Sequence, residues 1–218
     1  MKWRACVFDA YGTLFDVHSV VQREGHDILG DLQALSRLWR QKQIEYTWRR
    51  ALMQRYEDFW HVTEEALQAA VEQLRIPADA PQLARLMQAY LSPLAFADVA
   101  PALGALKACP LAILSNGSPG MLDAALRFNA LESYFTHVLS VDRVKTYKPA
   151  PAVYALGLEA LDVAAEEALF VSSNSWDAAG AKAFGYRVCW CNRAGESRDD
   201  LGFQPDFTVS RLDEMPPR

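Results

Sequence analysis

Val7-Phe8-Asp9-Ala10-Tyr11-Gly12-Thr13-Leu14-Phe15-Asp16 is the stretch on which the reading of this chain turns. It continues the apolar run Ala5–Phe8, whose length suits a buried strand, and it sets an aspartate directly at that strand's carboxyl end. A carboxylate there costs free energy unless water or hydrogen-bond donors meet it. A turn or helix-cap aspartate is the plain structural account. Gly12-Thr13 suits a tight loop that would bring backbone N–H groups back towards Asp9.

Outward from this stretch, Leu111–Leu114, Val138–Val141, Leu169–Val171 and Val188–Cys191 read as further buried strands, with Phe207–Val209 as a last edge strand. Helical patterns lie between them at Pro101–Ala108, Ala152–Leu161 and Trp176–Phe184, and Ser118-Pro119 starts another, with Ser as N-cap and Pro at the first helical position. Strands alternating with helices predict an α/β fold around a Rossmann-like parallel sheet with right-handed crossovers. From Val17 to Pro93 the alternation stops. No strand is evident, and three helical patterns follow one another at Leu32–Tyr56, Thr63–Leu74 and Leu83–Leu91, punctuated by Pro77, Pro81 and Pro93. Glu64 and Glu65 are expected in the first turn of the second, where the helix dipole favours them. The reading is a core domain of residues 1–16 and 94–218 with an inserted helical cap over residues 17–93.

The 218 residues are 51% hydrophobic and 22% charged, with a net charge of -5. These are globular proportions, and the absence of a basic excess speaks against nucleic acid as a partner. No run of eighteen apolar residues suggests a membrane span. The run ending in Asp9 is too short for a signal peptide, so the cytoplasm is the expected location. Cys6, Cys109, Cys189 and Cys191 include no C-x-x-C pair and read as buried thiols rather than a zinc site or disulfide framework. His18, His26, His61 and His137 show no spacing that suggests a metal or a triad.

In open α/β sheets, ligands bind beyond the carboxyl ends of the strands. Polar clusters fall at successive strand ends: Asp9–Asp16, Ser115-Asn116-Gly117, Lys145–Lys148 and Ser172–Asp177. One such cluster is ordinary loop chemistry; a series of them marks a candidate site.

With these motifs the chain resembles the haloacid dehalogenase (HAD) superfamily and, within it, the L-2-haloacid dehalogenases. The matching stretches are Phe8–Val17, Trp39-Arg40-Gln41-Lys42-Gln43, Ser115-Asn116-Gly117-Ser118-Pro119, Tyr147-Lys148-Pro149 and Ser172-Ser173-Asn174-Ser175-Trp176-Asp177. Phosphatases of the superfamily carry Asp-x-Asp-x-Thr, whose second aspartate protonates the leaving alkoxide; Tyr11 stands there instead. A halide leaves as a stable anion and needs no proton. Metal-dependent members hold magnesium with an acidic pair in the last motif, since that ion takes hard oxygen ligands. Here Asn174 replaces one carboxylate and Asp177 remains.

The resemblance therefore implies a small 2-haloacid substrate, a covalent aspartyl ester, and neither metal nor cofactor. It implies Asp9 as nucleophile and Lys148 as the positive charge beside it, with Thr13 and Ser172 orienting the carboxylates and Lys148. Ser115, with backbone N–H groups, would hold the substrate carboxylate. Arg40 and Asn116 would cradle the halide, and Tyr11, Leu14, Ile44, Phe59 and Trp176 would shape the pocket. Asp177 would activate the hydrolytic water, with Asn174 positioning it and Tyr154 hydrogen-bonding within the site. Arg40, Ile44 and Thr47 share one helical face. A homodimer is implied as well. The competing readings are a HAD phosphatase acting on a small phosphate ester and a non-catalytic protein that kept the fold. If Tyr11 and Asn174 mark the loss of magnesium chemistry, halide release from 2-chloropropionate is unchanged in EDTA; loss of activity that Mg²⁺ restores would overturn that reading.

Overall fold

The computed structural model describes residues 3–197 and 201–216. Met1 and Lys2, where the N-terminal reading begins, lie outside them. Strand β1 (Ala5–Phe8) runs into the turn that carries Asp9. Gly12 adopts φ +92°, a region that favours glycine. The turn closes by bonds from Thr13 and Leu14 N–H to the Ala10 carbonyl and from Gly12 N–H to that of Phe15. There follow β2 (Phe15–Asp16), α1 (Ser19–Glu24), α2 (Leu32–Met53), α3 (Phe59–Leu74), α4 (Ala80–Ala89), β3 (Leu94–Ala95), α5 (Val99–Ala105), β4 (Leu111–Ser115) and α6 (Pro119–Phe128). The chain continues through β5 (His137–Ser140), α7 (Pro151–Leu161), β6 (Ala168–Ser172), α8 (Ser175–Phe184), β7 (Arg187–Cys191) and β8 (Phe207–Val209).

Six strands form one sheet in the order β5-β4-β1-β6-β7-β8, with every neighbouring pair parallel. This is the expected HAD-like α/β core. Every residue of β1, β4 and β6 is buried, because helices cover both sheet faces; such strands read as unbroken apolar runs. Phe8 lies level with Ile113 of β4 and Val171 of β6. The residues at or just past the carboxyl ends of these three strands, Asp9, Ser115 and Ser172 to Asn174, are thereby brought to one edge of the sheet. All four cysteines are buried.

Helix boundaries depart from the sequence reading for local reasons. Helix α2 stops at Met53 rather than Tyr56 because Gln54 turns left-handed at φ 55° and returns its N–H to the carbonyls of Arg50 and Ala51. Helix α3 starts at Phe59 rather than Thr63, where the Asp58 side chain accepts from the His61 N–H. Glu64 and Glu65 therefore leave the first turn, and Glu65 instead binds Arg50 of α2 at 2.7 and 2.8 Å. Helix α4 starts at Ala80 rather than Leu83 through a reciprocal cap between Asp79 and Gln82. Helix α5 is shifted to Val99–Ala105, with Pro101 in the first turn, where its missing N–H leaves no bond unmade. Ser118 occupies the N-cap and Pro119 the first position of α6 as expected, but the serine side chain makes no cap bond.

Two features were not anticipated between Val17 and Pro93 or at its flanks. Helix α1 is short, and β2 and β3 pair as a two-residue antiparallel ribbon, Phe15 with Ala95 and Asp16 with Leu94. The inserted helices thus leave and rejoin the core through one paired ribbon.

Close packing of α8 on α7 sets up a test. A Cβ on Gly180 would lie 2.5 Å from the Tyr154 hydroxyl and 2.6 Å from Pro149 Cβ. Gly180→Ala should destabilise by about 1–3 kcal/mol and lower the melting temperature by roughly 2–12 °C in a chain of this size. A variant that melts with the parent would show that the contact relaxes freely.

Candidate active site

Asp9 is 6% exposed at the end of β1. Its Oδ2 accepts from the Thr13 hydroxyl at 2.8 Å and from Asn174 Nδ2 at 2.8 Å. Its Oδ1 accepts from Lys148 Nζ at 3.0 Å. Thr13 is itself fixed, since its hydroxyl oxygen accepts the Ser173 N–H at 2.8 Å. The backbone N–H groups expected to reach Asp9 are taken up in the turn on Ala10 and Phe15. Side chains hold the carboxylate instead.

Lys148 is 1% exposed and also donates to Asp177 Oδ2 at 2.8 Å. Asp177 lies in the first turn of α8, and its Oδ1 accepts from the Tyr154 hydroxyl of α7 at 2.8 Å. One ammonium thus serves two carboxylates in a buried place. Burial drives the Asp177 carboxyl up to about 6; Lys148 pulls it down, and the Asp9 charge pushes it up again. Burial alone would lower the Lys148 ammonium, but Asp177 and Asp9 together outweigh it and hold it above its usual value. The two directions differ in their main cause: burial raises Asp177, whereas the two carboxylates raise Lys148 against burial.

Arg40 comes from α2. Its Nη2 donates to the Tyr11 carbonyl at 2.9 Å and to Asn174 Oδ1 at 3.3 Å, and its Nη1 to Gln43 Oε1 at 2.7 Å. Asn116 Oδ1 accepts the Lys148 N–H at 3.0 Å, which leaves its NH₂ to donate. The Ser115 hydroxyl accepts the Gly117 N–H at 3.0 Å. Ser172, expected beside the carboxylates, has its hydroxyl on the Asn174 N–H at 3.1 Å and so acts on Asp9 through Asn174.

A small cavity of about 10 Å³ is lined by Asp9, Tyr11, Arg40, Ile44, Phe59, Ser115, Asn116, Asn174 and Trp176. That space is of the order of one water molecule. Thr13, Lys148, Tyr154, Ser172 and Asp177 stand behind this lining in the network just described. Leu14 does not join them; it is fully buried in the hydrophobic core. Tyr11 is buried with its ring stacked on Tyr90 at 5.6 Å, and burial drives its phenol well above the usual range, so it stays neutral. A larger cleft of about 960 Å³ lies alongside, shares Arg40, Ile44, Asn174 and Trp176 with the small cavity, and adds His18, Arg37 and Arg193 among its walls.

Sequence reasoning missed several supporting residues. Arg193, beyond β7, donates to the Thr13 carbonyl at 3.0 Å and to Asp98 at 2.9 Å. Gln43 and Tyr90 contact Arg40 and Tyr11. Gln43 did fall within the Trp39–Gln43 stretch, but a glutamine on a long polar helix reads as solvated.

The donor set does not fit magnesium. Asp9 and Asp177 are already bridged by an ammonium, and Asn174 points its NH₂, a donor, at Asp9.

A family model for haloacid dehalogenase-like hydrolases matches residues 3–185. The chain is 46% identical to haloacetate dehalogenase H-2 of Moraxella sp. (strain B), over 98% of this chain and 96% of that one. It is also 46% identical to the (S)-2-haloacid dehalogenase of Pseudomonas sp. (strain YL), over 96% and 91%. The solved structure of L-2-haloacid dehalogenase from Xanthobacter autotrophicus with chloropropionic acid covalently bound superposes with a TM-score of 0.91 at 39% identity, covering 98% of this chain and 96% of that one.

A carboxyl held up to about 6 is largely protonated below that pH, so any step that uses Asp177 as a base fails on the acid side. Turnover at pH 5 should be about tenfold below that at pH 7 if the ionised fraction sets the rate. A rate equal at the two pH values, with the fold intact by circular dichroism, would remove Asp177 from that role.

Proposed function

Because the chain belongs to the haloacid dehalogenase-like hydrolases, we propose that it hydrolyses small (S)-2-haloacids to (R)-2-hydroxy acids and halide, through an ester on Asp9 and without a metal ion. The observation that carries this is the pair of carboxylates joined by one buried lysine, with Asp9 in the cavity wall and Asp177 behind it. The arrangement separates a nucleophile from a base.

Asp9 Oδ2 has two donors and Oδ1 has one, which leaves Oδ1 the freer oxygen to attack C2. The new C–O bond forms as the carbon–halogen bond breaks, and the halide leaves with the electron pair. Displacement from the rear inverts C2. Arg40 and Asn116 line the cavity as the donors that receive the departing anion. Ser115 holds the substrate carboxylate, and Tyr11, Ile44, Phe59 and Trp176 wall in the carbon chain. In the second step water attacks the carbonyl carbon of the Asp9 ester and gives its proton to Asp177, which Tyr154 and Lys148 hold in place. The ester C–O bond to the enzyme's carbonyl carbon breaks, the proton taken by Asp177 passes to the leaving oxygen, and the hydroxy acid departs with an oxygen that began on Asp9. Asn174 orients Asp9 throughout, with Ser172 and Thr13 fixing its surroundings.

The phosphatase alternative lacks a group for its protonation step, since Tyr11 is a buried neutral phenol where a carboxylic acid would serve. Residues 17–93 act in this proposal as a cap that opens to admit substrate. A cytoplasmic homodimer completes it, with Leu52 and Met53, 86% and 60% exposed on α2, as apolar surface for a second copy.

In a single turnover in H₂¹⁸O with excess enzyme, the heavy oxygen should appear in the Asp9 carboxylate, read by mass spectrometry of the peptide that contains it, while the product hydroxyl stays unlabelled. Label in the product at the first turnover would make Asp9 a general base and defeat the ester route.

A further inference from the structure

Gln43 is 0% exposed on the inner face of α2, and its amide is occupied at both ends. Oε1 accepts from Arg40 Nη1 at 2.7 Å and from the Tyr90 hydroxyl at 3.0 Å, and Nε2 donates to the Thr63 hydroxyl at 2.6 Å. The orientation of the amide is forced, because a guanidinium can only donate and so requires the oxygen to face it. Thr63 is held in turn: its hydroxyl donates to the Phe59 carbonyl at 2.6 Å, and its own carbonyl accepts from Trp39 Nε1 at 2.8 Å. The network therefore ties α2 to α3 and to Tyr90 at the end of α4. Polar groups buried in this way are costly to leave unpaired, so the arrangement is stiff.

We infer that Gln43 is a positioning residue for the leaving group: it fixes the plane of the Arg40 guanidinium and thereby sets how well the enzyme expels a poorer halide. Arg40 is gripped at both Nη atoms, by Gln43 from the inserted helices and by the Tyr11 carbonyl and Asn174 from the sheet edge. Without Gln43, one of those grips is lost and the guanidinium can rotate about its stem. Stabilisation of developing charge depends on donors already aimed at it. Chloride, the poorer leaving group, depends on such help more than bromide does. This inference rests on the dehalogenase reading and on Arg40 receiving the halide.

The experiment compares steady-state halide release from (S)-2-chloropropionate and (S)-2-bromopropionate. Gln43→Met keeps the volume and removes the strong acceptor. Its kcat on the chloro acid should fall about 10–100-fold, less than the ~10²–10³-fold loss when a charge-stabilising donor is removed outright, while KM stays within about threefold. The bromo-to-chloro ratio of kcat should rise at least about fivefold. A merely structural role would lower both rates together, so an unchanged ratio in a folded variant overturns the inference. Should Gln43→Met fail to fold, Gln43→Asn decides. It keeps a buried amide but draws the acceptor back by one methylene from Arg40, so the grip is lost and the ratio should rise as well; an unchanged ratio there is equally fatal. Wild-type enzyme that releases no halide would sink the dehalogenase reading itself, whereas wild-type release with unmoved ratios sinks only the part given to Gln43.

Discussion

Lys148 donates to Asp9 at 3.0 Å and to Asp177 at 2.8 Å from a place almost sealed from water. Removing it would leave two anions together in a medium that solvates neither, a loss of several kcal/mol. The sheet order is what makes the contact possible. β1 delivers Asp9, its neighbour β6 leads into the turn before α8 that carries Asp177, and the segment after β5 brings the lysine between them.

The other half of the site is borrowed from the inserted helices. Arg40, Ile44 and Phe59 reach the cavity from α2 and α3, and the bonds from Arg40 to the Tyr11 carbonyl and Asn174 span the two parts of the chain. The space at Asp9 is small, about 10 Å³, and the 960 Å³ cleft beside it shares four of its walls. Arg40, Ile44, Asn174 and Trp176 thus stand between the small cavity and the larger cleft. Excluding water at the moment of displacement strengthens every charge interaction inside.

The parallel core was legible because strands buried on both faces become continuous apolar runs, and Ala5–Phe8 and Leu111–Leu114 stand out from their polar turns. The inserted helices were legible from their period, but their ends were not. Gln54 turning left-handed carries no signal in its side chain, and Asp58 caps a helix whose apolar pattern becomes regular only later. A ribbon as short as Phe15–Asp16 with Leu94–Ala95 has no period to detect. Within the site, Asp9, Lys148 and Asp177 could be singled out because a charge at the end of a buried strand is costly and needs a reason. Their supports could not, since Gln43 on a polar helix and Arg193 past β7 look like solvated surface until the fold places them against Arg40 and Thr13. Leu14 shows the opposite error, an apolar residue in Asp9's own loop that turns into the core rather than the cavity.

The paired ribbon of β2 and β3 has a mechanical consequence. An insertion joined to its host by two separate single strands could swing and twist about each of them independently. Here both connections are hydrogen-bonded to one another, Phe15 beside Ala95 and Asp16 beside Leu94, so the whole helical segment hangs from one strap. The strap begins at the last residues of the turn that holds Asp9, so in the proposed opening the two connections would have to move together, and a cap that returned along the same path would bring Arg40 back to the same carbonyl.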